Sequence, residues 1–323
     1  MKKVAVLGKI PEIAYEKLSQ HFQVTMNDDV TPMSKNEIVE MVKGKEAILS
    51  ILSDTIDQDV MEAAAPDLKI IANYGAGFNN IDVETATKKN IHVTNTPVVS
   101  TYATAELTMG LLISLARRLV EGDRLTRSGK FEGWAPLFHL GTELRGKTLG
   151  IFGMGNIGKK VVQMAKAFEM KIVYHNRTRL SEDEEQALQC TYVEKEQLLK
   201  QADVVSLHMS YHPSLHHFIG EEELASMKPQ ALLLNLARGP LVHEEALVSA
   251  LEKGVIAGAG LDVFEFEPSV TEGLKALDNV IITPHIGNAT VEARREMAEM
   301  AADNIISVLQ GGKPNTPVNQ VKS

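Results

Sequence analysis

The middle of the chain reads Leu149-Gly150-Ile151-Phe152-Gly153-Met154-Gly155-Asn156-Ile157-Gly158. An apolar strand runs directly into the pattern G-x-G-x-x-G, and an amphipathic helix leaves it. In this pattern Gly153 permits a tight turn, Gly155 lets the backbone approach a pyrophosphate, and Gly158 lets helix and strand pack closely. The helix start at Asn156 and Ile157 offers free N–H groups and a positive dipole end to phosphates. The segment therefore predicts a dinucleotide site of the Rossmann type.

The next strand bears on which dinucleotide would bind. Lys171–Tyr174 is followed by His175-Asn176-Arg177-Thr178-Arg179, without an acid. NAD sites usually carry an Asp or Glu about twenty residues after the glycines, where it binds the ribose 2′-hydroxyl. Arginines at that place can pair with a 2′-phosphate instead. We therefore expect NADP(H) to be preferred over NAD(H), with contacts from Asn176, Arg177, Thr178 and Arg179. A solvated basic loop is the alternative.

Short apolar runs alternate with amphipathic stretches on both sides of this segment. The predicted strands before it are Val4–Leu7, Phe22–Met26, Ala47–Leu52, Leu68–Ala72 and Ile91–Val93. Those from it onward are Thr148–Phe152, Lys171–Tyr174, Val204–Leu207, Ala231–Leu236, Ala257–Leu261 and Val280–Ile282. This strand–helix rhythm predicts parallel sheets with helices on both faces. The chain is therefore expected to be an α/β protein.

The rhythm breaks once, at Asn95-Thr96-Pro97. One long helix is predicted after the break, over about residues 101–129, and Gly110 and Gly122 are the places where it could bend. A last helix is predicted from about Thr290 to Leu309, before a tail rich in Gly, Pro and Asn. The break suggests that the two halves belong to different domains.

Composition excludes several classes of protein. The 323 residues are 44% hydrophobic and 23% charged, as in a globular protein, and contain no apolar run long enough to cross a membrane. The net charge of −9 argues against nucleic acid as a partner. Met1–Gly8 lacks the long apolar core of a signal peptide, and the single Cys190 excludes an internal disulfide. Both features favour the cytoplasm.

Candidate chemistry lies in three segments that each follow an apolar strand: Asn235–Pro240, Leu261–Pro268 and Ile282–Asn288. Ligands of an open α/β sheet bind beyond the carboxyl ends of its strands, so we expect the three segments at one edge. His285 could protonate a developing alkoxide near neutral pH, and Glu267 beside it would favour the charged imidazole. Arg238 could bind a carboxylate and polarise the adjacent carbonyl. Together these groups suit reversible carbonyl reduction.

Several segments resemble the signatures of the D-isomer-specific 2-hydroxyacid dehydrogenase family: Gly153–Gly158, Asn235–Gly239, Asp262–Pro268 and Pro284–Thr290. In addition, Asn73–Asp82 resembles the loop with which that family binds the substrate carboxylate. The resemblance covers essentially the whole chain, in the family's order. It implies a Rossmann dinucleotide-binding domain of residues 99–287, inserted into a flavodoxin-like substrate domain of residues 1–98 and 288–323.

The resemblance also implies a role for particular residues. Arg238, Glu267 and His285 match the catalytic set, and the backbone N–H groups of Ala76 and Gly77 match those that hold the substrate carboxylate. Other positions match residues that line the cofactor, with Asp262 on its carboxamide: Thr104, His208, Ala237, Asp262 and Gly287. We expect the substrate's side chain to be selected by residues around Leu52, Ser53 and Tyr74, and by the loop that carries Trp134.

Within the family, Gly133-Trp134-Ala135-Pro136 and the Asn-Arg-Thr-Arg segment resemble the glyoxylate/hydroxypyruvate reductase group. The implied reaction is the NADPH-dependent reduction of a small 2-keto acid. Activity of the D-lactate or 2-ketogluconate type remains open, whereas formate dehydrogenase relatives carry glutamine in place of Glu267. A dinucleotide-sensing corepressor is the alternative outside enzymes. Relatives form homodimers, which would place Trp134 in the interface; ordinary packing within the domain is the alternative.

One stretch is unusually rich in histidine: Tyr211-His212-Pro213-Ser214-Leu215-His216-His217. Histidine clusters can bind a metal ion, but in the sequence no acid or cysteine joins these three. We therefore expect the solvated start of a helix here, and no metal site.

Overall fold

The computed structural model describes residues 1–321, so Lys322 and Ser323, the last residues of the predicted substrate domain, lie outside the described part. The chain divides into two compact units. The first unit consists of Met1–Ser100 with Ala289–Ser323, and the second of Thr101–Asn288. Within residues 1–321, none of the helices is both long and apolar enough to cross a membrane.

The first unit contains a five-stranded parallel sheet in the order β2-β1-β3-β4-β5. Its strands are β1 Lys3–Val6, β2 Gln23–Met26, β3 Ala47–Ile51, β4 Ile70–Tyr74 and β5 His92–Thr94. Its helices are α1 Ile13–Ser19, α2 Lys35–Val42, α3 Gln58–Ala64 and α4 Val83–Lys88, together with the C-terminal helix Val291–Leu309. This strand order is that of flavodoxin-like folds.

The sheet of the first unit is covered on both faces because alternate side chains of a strand point to opposite sides. Val4, Val6 and Leu49 pack toward α1 and the C-terminal helix. Ala5 and Ile48 pack toward α2, α3 and α4 on the other face. Near-continuous apolar strands are thus required, as the sequence predicted.

The second unit contains a seven-stranded parallel sheet in the order β12-β11-β10-β9-β6-β7-β8. Its strands are β6 Thr148–Phe152, β7 Lys171–His175, β8 Cys190–Tyr192, β9 Val204–Leu207, β10 Leu232–Asn235, β11 Gly258–Leu261 and β12 Val280–Ile282. Its helices are α5 Thr101–Ala116, α6 Leu119–Arg127, α7 Asn156–Lys166, α8 Glu182–Leu188, α9 Lys195–Gln201, α10 Glu221–Ser226, α11 Glu244–Glu252 and α12 Glu272–Ala276. The strand order reverses between β6 and β9, where ligands bind in such sheets.

The predicted α/β fold is confirmed, but one helix prediction was wrong. The expected long helix over residues 101–129 is two helices, α5 and α6. The break lies at Arg118, which adopts a left-handed conformation with φ 52°, and not at Gly110 or Gly122. At the break, Ala116 O accepts from Thr142 N, and Arg118 O accepts from Gly122 N and also lies 3.0 Å from His139 Nε2.

Candidate active site

The glycine turn has the geometry that its sequence predicts. Gly153 has a φ of 97°, and a Cβ on it would lie 2.6 Å from the carbonyl carbon of His208. A Cβ on Gly158 would lie 2.3 Å from Gly153 O, so these positions require glycine. By contrast, a Cβ on Gly155 would meet no atom within 4 Å. The backbone of the turn is therefore packed against protein atoms at Gly153 and Gly158, and it faces open space at Gly155, where a ligand would lie.

Helix α7 begins at this open side. Its first residues are Asn156 and Ile157, and its N-cap, Gly155, has no side chain to cap the free N–H groups. Uncapped N–H groups at the positive end of a helix favour an anion. The turn and the helix start thus fit the pyrophosphate of a dinucleotide.

His208 follows β9 at the back of the turn. Burial lowers the pKa of its imidazole to about 4, so the ring is neutral near pH 7. Its Nε2 lies 2.8 Å from Ser206 Oγ, whereas its buried Nδ1 has no hydrogen-bond partner among the described residues. A buried nitrogen without a partner costs free energy, and a ligand could supply the missing hydrogen bond.

The two arginines after β7 have different surroundings. Arg179 forms a bidentate ion pair with Glu185, with Nε and Nη2 each 2.8 Å from a carboxylate oxygen. The same carboxylate accepts from Tyr174 Oη, and these hydrogen bonds lower the pKa of Glu185 to about 2. Arg177 is exposed and forms no ion pair with any residue of 1–321. Arg177 is therefore the guanidinium available to a ligand.

Asn176 fixes the backbone of this corner. Its side-chain oxygen accepts from Met154 N at 3.4 Å, and its amide nitrogen donates to Thr178 O at 3.0 Å. The glycine turn and the Asn176–Thr178 segment are thereby joined, which positions the exposed Arg177 beside the turn.

His285 and Glu267 form a hydrogen-bonded pair. His285 Nδ1 lies 3.0 Å from Glu267 Oε2, and Glu267 Oε1 accepts from Phe264 N at 2.9 Å. Burial raises the pKa of Glu267, but the hydrogen bond and charge of His285 outweigh it, so this pKa lies below its ordinary value. Glu267 is therefore a carboxylate near neutral pH, and it leaves Nε2 of His285 free for a reacting group.

Asp262 holds the segment on which His285 lies. Its Oδ1 accepts from Ile286 N at 2.8 Å and Thr283 Oγ1 at 2.6 Å, and its Oδ2 accepts from Gly287 N at 2.7 Å. Gly287 O in turn accepts from Thr104 Oγ1 at 3.2 Å. The buried carboxylate thus fixes His285, a function that the sequence did not suggest for Asp262.

Arg238 follows β10 and is partly buried. Burial lowers the pKa of its guanidinium, while the charge of Glu267 opposes that effect. The backbone here is fixed by Asn235, whose side chain donates to Arg238 O and accepts from Ala237 N. Arginine stays protonated in proteins, so Arg238 supplies a fixed positive charge near Glu267.

The first unit contains the predicted carboxylate loop. The N–H groups of Ala76 and Gly77 have no acceptor within residues 1–321, while Ala76 O accepts from Asn95 Nδ2 at 2.7 Å. Asn73 and Asn80 hold the loop: Asn73 donates to Gly77 O at 2.7 Å, and Asn80 donates to Ile51 O and Asp54 O. The loop thus presents two free donors on a fixed backbone.

The residues expected around the substrate's side chain differ in exposure. Ser53 is exposed and Leu52 is partly buried. Tyr74 is buried; its hydroxyl donates to Arg294 O at 2.8 Å, and burial raises its pKa to about 12. Of the three, Leu52 and Ser53 are therefore the accessible ones.

The histidine-rich stretch departs from expectation. Only a short 3-10 turn forms, at Pro213–Leu215, and an acid does join the histidines: Glu265 Oε1 lies 2.6 Å from His217 Nε2. The sequence could not reveal this contact, because the two residues are 48 positions apart.

Comparison with known proteins agrees with this geometry. The profile of the family described as "D-isomer specific 2-hydroxyacid dehydrogenase, NAD binding domain" matches residues 109–287. A Staphylococcus aureus (strain bovine RF122 / ET3-1) protein, provisionally named a 2-hydroxyacid dehydrogenase, is 50% identical over 319 residues, covering 99% of this chain and 100% of its own.

Two solved structures are also similar. One is a protein from Thermus thermophilus, 43% identical with a TM-score of 0.93, covering 98% of this chain and 100% of that one. The other is the NADPH-dependent glyoxylate/hydroxypyruvate reductase of Sinorhizobium meliloti in complex with citrate. It is 33% identical with a TM-score of 0.86, and the match covers 98% of each chain.

Proposed function

Because the chain belongs to the D-isomer-specific 2-hydroxyacid dehydrogenase family, and so is an oxidoreductase that uses a nicotinamide dinucleotide, we propose that it reduces a short 2-keto acid with NADPH. Glyoxylate and hydroxypyruvate are the proposed substrates, and a D-2-hydroxy acid is the product of the latter. The observation that carries the proposal is the 3.0 Å hydrogen bond between His285 Nδ1 and Glu267 Oε2. It makes Nε2 a positioned proton donor.

Substrate binding would use two kinds of donor. The free N–H groups of Ala76 and Gly77 suit a carboxylate, because backbone donors held in place lose little entropy on binding. The guanidinium of Arg238 suits both the carboxylate and the adjacent carbonyl oxygen. A 2-keto acid has these two oxygen-bearing groups on neighbouring carbons, so we assign the first unit as the substrate domain and the second as the cofactor domain.

The chemical step needs charge stabilisation and a proton. When bound, the reduced nicotinamide supplies a hydride to the carbonyl carbon. Arg238 stabilises the negative charge that develops on the carbonyl oxygen. His285 gives its Nε2 proton to that oxygen, and the Glu267 carboxylate holds the ring in place through its Nδ1. A hydride on carbon and a proton on oxygen complete the hydroxy acid.

The preference for NADPH rests on the corner after β7. A 2′-phosphate needs a positive group and tolerates no acid nearby. Arg177 is exposed without an ion pair in the described chain, whereas Arg179 is already paired with Glu185. The proposed phosphate contacts are therefore Arg177 with the side chains of Asn176 and Thr178. Arg179 would act mainly by holding the corner in shape.

The choice of substrate rests on the similar reductase from Sinorhizobium meliloti, named for glyoxylate and hydroxypyruvate. The test is the decay of NADPH absorbance with glyoxylate, hydroxypyruvate, pyruvate and 2-ketogluconate, repeated with NADH. We expect glyoxylate or hydroxypyruvate to give the highest kcat/KM, and NADPH to exceed NADH. A higher value for pyruvate or 2-ketogluconate would overturn the substrate assignment, and equal values for the two cofactors would overturn the NADPH assignment.

We also propose that the protein is a homodimer. Residues 129–141, here called the arm, form no helix or strand. The arm exposes a set of large apolar side chains: Phe131, Trp134, Leu137, Phe138 and Leu140. A monomer seldom exposes so many large apolar side chains in one short segment, so a second copy of the chain is the proposed cover.

A further inference from the structure

We propose that His216, His217 and Glu265 bind a late first-row divalent cation such as Zn²⁺. This group, here called the histidine–glutamate cluster, lies in the second unit and is independent of the proposed substrate and cofactor preference. One ligand atom from each residue lies within 4.8 Å of the other two. No other group of three His, Cys, Asp or Glu residues in 1–321 brings its ligand atoms together in this way.

The donor set selects the class of cation. Two imidazoles and one carboxylate suit Zn²⁺, Ni²⁺ or Co²⁺, whereas Mg²⁺ and Ca²⁺ take oxygen ligands almost alone. Three protein ligands leave the remaining coordination positions to water. The cluster therefore predicts a site that holds a transition metal and rejects the hard cations.

Two of the three ligands are already fixed. Glu265 has a side chain that is only 8% exposed, and its Oε2 accepts from Glu244 N while its own N donates to Glu244 Oε1. The carboxylate thus turns Oε1 toward His217, whose backbone N donates to Pro240 O at 2.8 Å. A cation would lie between His217 Nε2 and Glu265 Oε1, which face each other at 2.6 Å and would separate slightly to admit it.

The third ligand completes the site from the solvent side. The His216 and His217 rings are stacked, with centroids 3.8 Å apart. His216 is exposed, and the hydrogen bond of its ring is a long one of 3.5 Å between Nδ1 and Tyr211 Oη. Because Zn–N bonds are about 2.0–2.1 Å long, the ligand atoms of a tetrahedral site lie about 3.3 Å apart, and the exposed His216 side chain can adjust to that spacing. His243 is excluded, since its Nδ1 caps α11.

The site lies next to two candidate catalytic segments. His217 is bonded to Pro240, two residues after Arg238, and Glu265 lies two residues before Glu267. A bound cation would join the two segments through metal–ligand bonds. It would therefore stiffen the backbone that positions Arg238 and Glu267.

The test is calorimetric titration of the full chain with ZnCl₂, in parallel with His216→Ala. We expect one saturable Zn²⁺ site per chain that depends on His216, with its affinity lowered at least about tenfold in the variant, because the exposed ligand is removed. His212→Ala is the matched control, since His212 lies four residues away and outside the cluster. It should bind Zn²⁺ as the wild type does, and circular dichroism checks that both variants fold.

A second measurement separates this site from the His285–Glu267 pair, which could also take Zn²⁺. In a His285→Ala background the His216-dependent binding should persist, and Co²⁺ should give visible absorption bands that His216→Ala removes. Equal affinity of the wild type and His216→Ala, or the absence of saturable binding by the wild type, would overturn the proposal. None of these readouts uses turnover, so a failure here is distinct from a failure of the proposed reaction.

Discussion

Single residues carry most of the proposed chemistry, and His285 is the one whose removal is most informative. Its Nδ1 is occupied by Glu267, so the proposed function depends on Nε2. His285→Ala should lower kcat by about 10²–10⁴, the usual contribution of a positioned acid–base group. NADPH affinity, measured by fluorescence titration, should be unchanged. Turnover equal to that of the wild type would remove His285 from the mechanism.

The two arginines after β7 give a paired prediction. Arg177→Ala should weaken NADPH binding about tenfold or more, because a hydrogen bond between charged groups contributes about 1.5–3 kcal/mol. NADH binding should be unchanged in this variant, since NADH has no 2′-phosphate.

Arg179→Ala is the matched control for that measurement. Its guanidinium is paired with Glu185, so we expect a smaller loss of NADPH affinity than for Arg177→Ala. Equal losses in the two variants, or a loss of NADH affinity as large as that of NADPH, would contradict the assignment of Arg177 to the 2′-phosphate.

Asp54 gives a prediction about pH. It is buried, its Oδ2 accepts from Ile51 N, its Oδ1 has no partner within residues 1–321, and burial raises its pKa to about 6. The folded state therefore holds this proton more tightly than the unfolded state. Its contribution to stability is present below about pH 4 and is lost as the pH rises to about 6 and beyond.

Asp54→Asn should remove that loss, because an amide does not ionise. Relative to the wild type, the variant should gain about 1–3 kcal/mol of unfolding free energy between pH 4 and pH 7, since each pKa unit corresponds to about 1.4 kcal/mol. Urea denaturation of both proteins across this range measures the difference. A difference that does not change with pH would show that Asp54 does not retain its proton.

At the scale of elements, much of the structure could be predicted from the sequence because apolar runs and glycines are local signals. The strand β6, the glycine turn and the helix α7 lie where the sequence places them. By contrast, β8 at Cys190–Tyr192 was missed, since this short edge strand has no long apolar run. The break at Arg118 was missed because its left-handed conformation is held by distant contacts with the arm.

The candidate site could be predicted only in part, for the same reason. Arg238, Glu267 and His285 each follow a strand, which marks them in the sequence. The groups that hold them do not: the bonds of Asp262 to residues 283–287 and of His217 to Glu265 join positions 21 to 48 residues apart. Such contacts depend on tertiary packing, which a single sequence does not display.

At the scale of elements, the prediction concerns the packing of the loop that follows β10 against the loop that follows β11. A Cβ on Gly239 would lie 1.8 Å from Phe264 O, so the segments that carry Arg238 and Glu267 touch through their backbones. Gly239→Ala should therefore destabilise the protein by about 1–3 kcal/mol, as overpacked sites do, and should lower kcat.

Thermal unfolding and steady-state kinetics measure the two effects. Gly110→Ala in α5 is the control, because a Cβ there meets no atom within 4 Å. Alanine favours a helix over glycine, so this variant should be as stable as the wild type or more so. Wild-type stability and turnover in Gly239→Ala would show that the two loops do not need this contact.

At the scale of the whole molecule, the arm gives a prediction about assembly. Leu137 is 83% exposed within the apolar set of the arm. Leu137→Asp places a charge in the proposed interface, so light scattering should show a monomer where the wild type is a dimer. Val30→Asp changes an equally exposed apolar residue, 84% exposed, in the first unit and should stay dimeric. A dimeric Leu137→Asp would remove the arm from the interface.

The arm also carries the only tryptophan of the chain, Trp134, a residue that is 84% exposed. All intrinsic indole fluorescence of the protein therefore originates at one point. The emission maximum of a solvated indole lies at a longer wavelength than that of a buried indole. If dilution dissociates the proposed dimer, the emission maximum of Trp134 should therefore shift to longer wavelength. The reduced nicotinamide absorbs at the wavelengths where indole emits, so its binding should quench the fluorescence of Trp134. The extent of quenching would then measure the fraction of the protein that has bound the cofactor, without an attached dye.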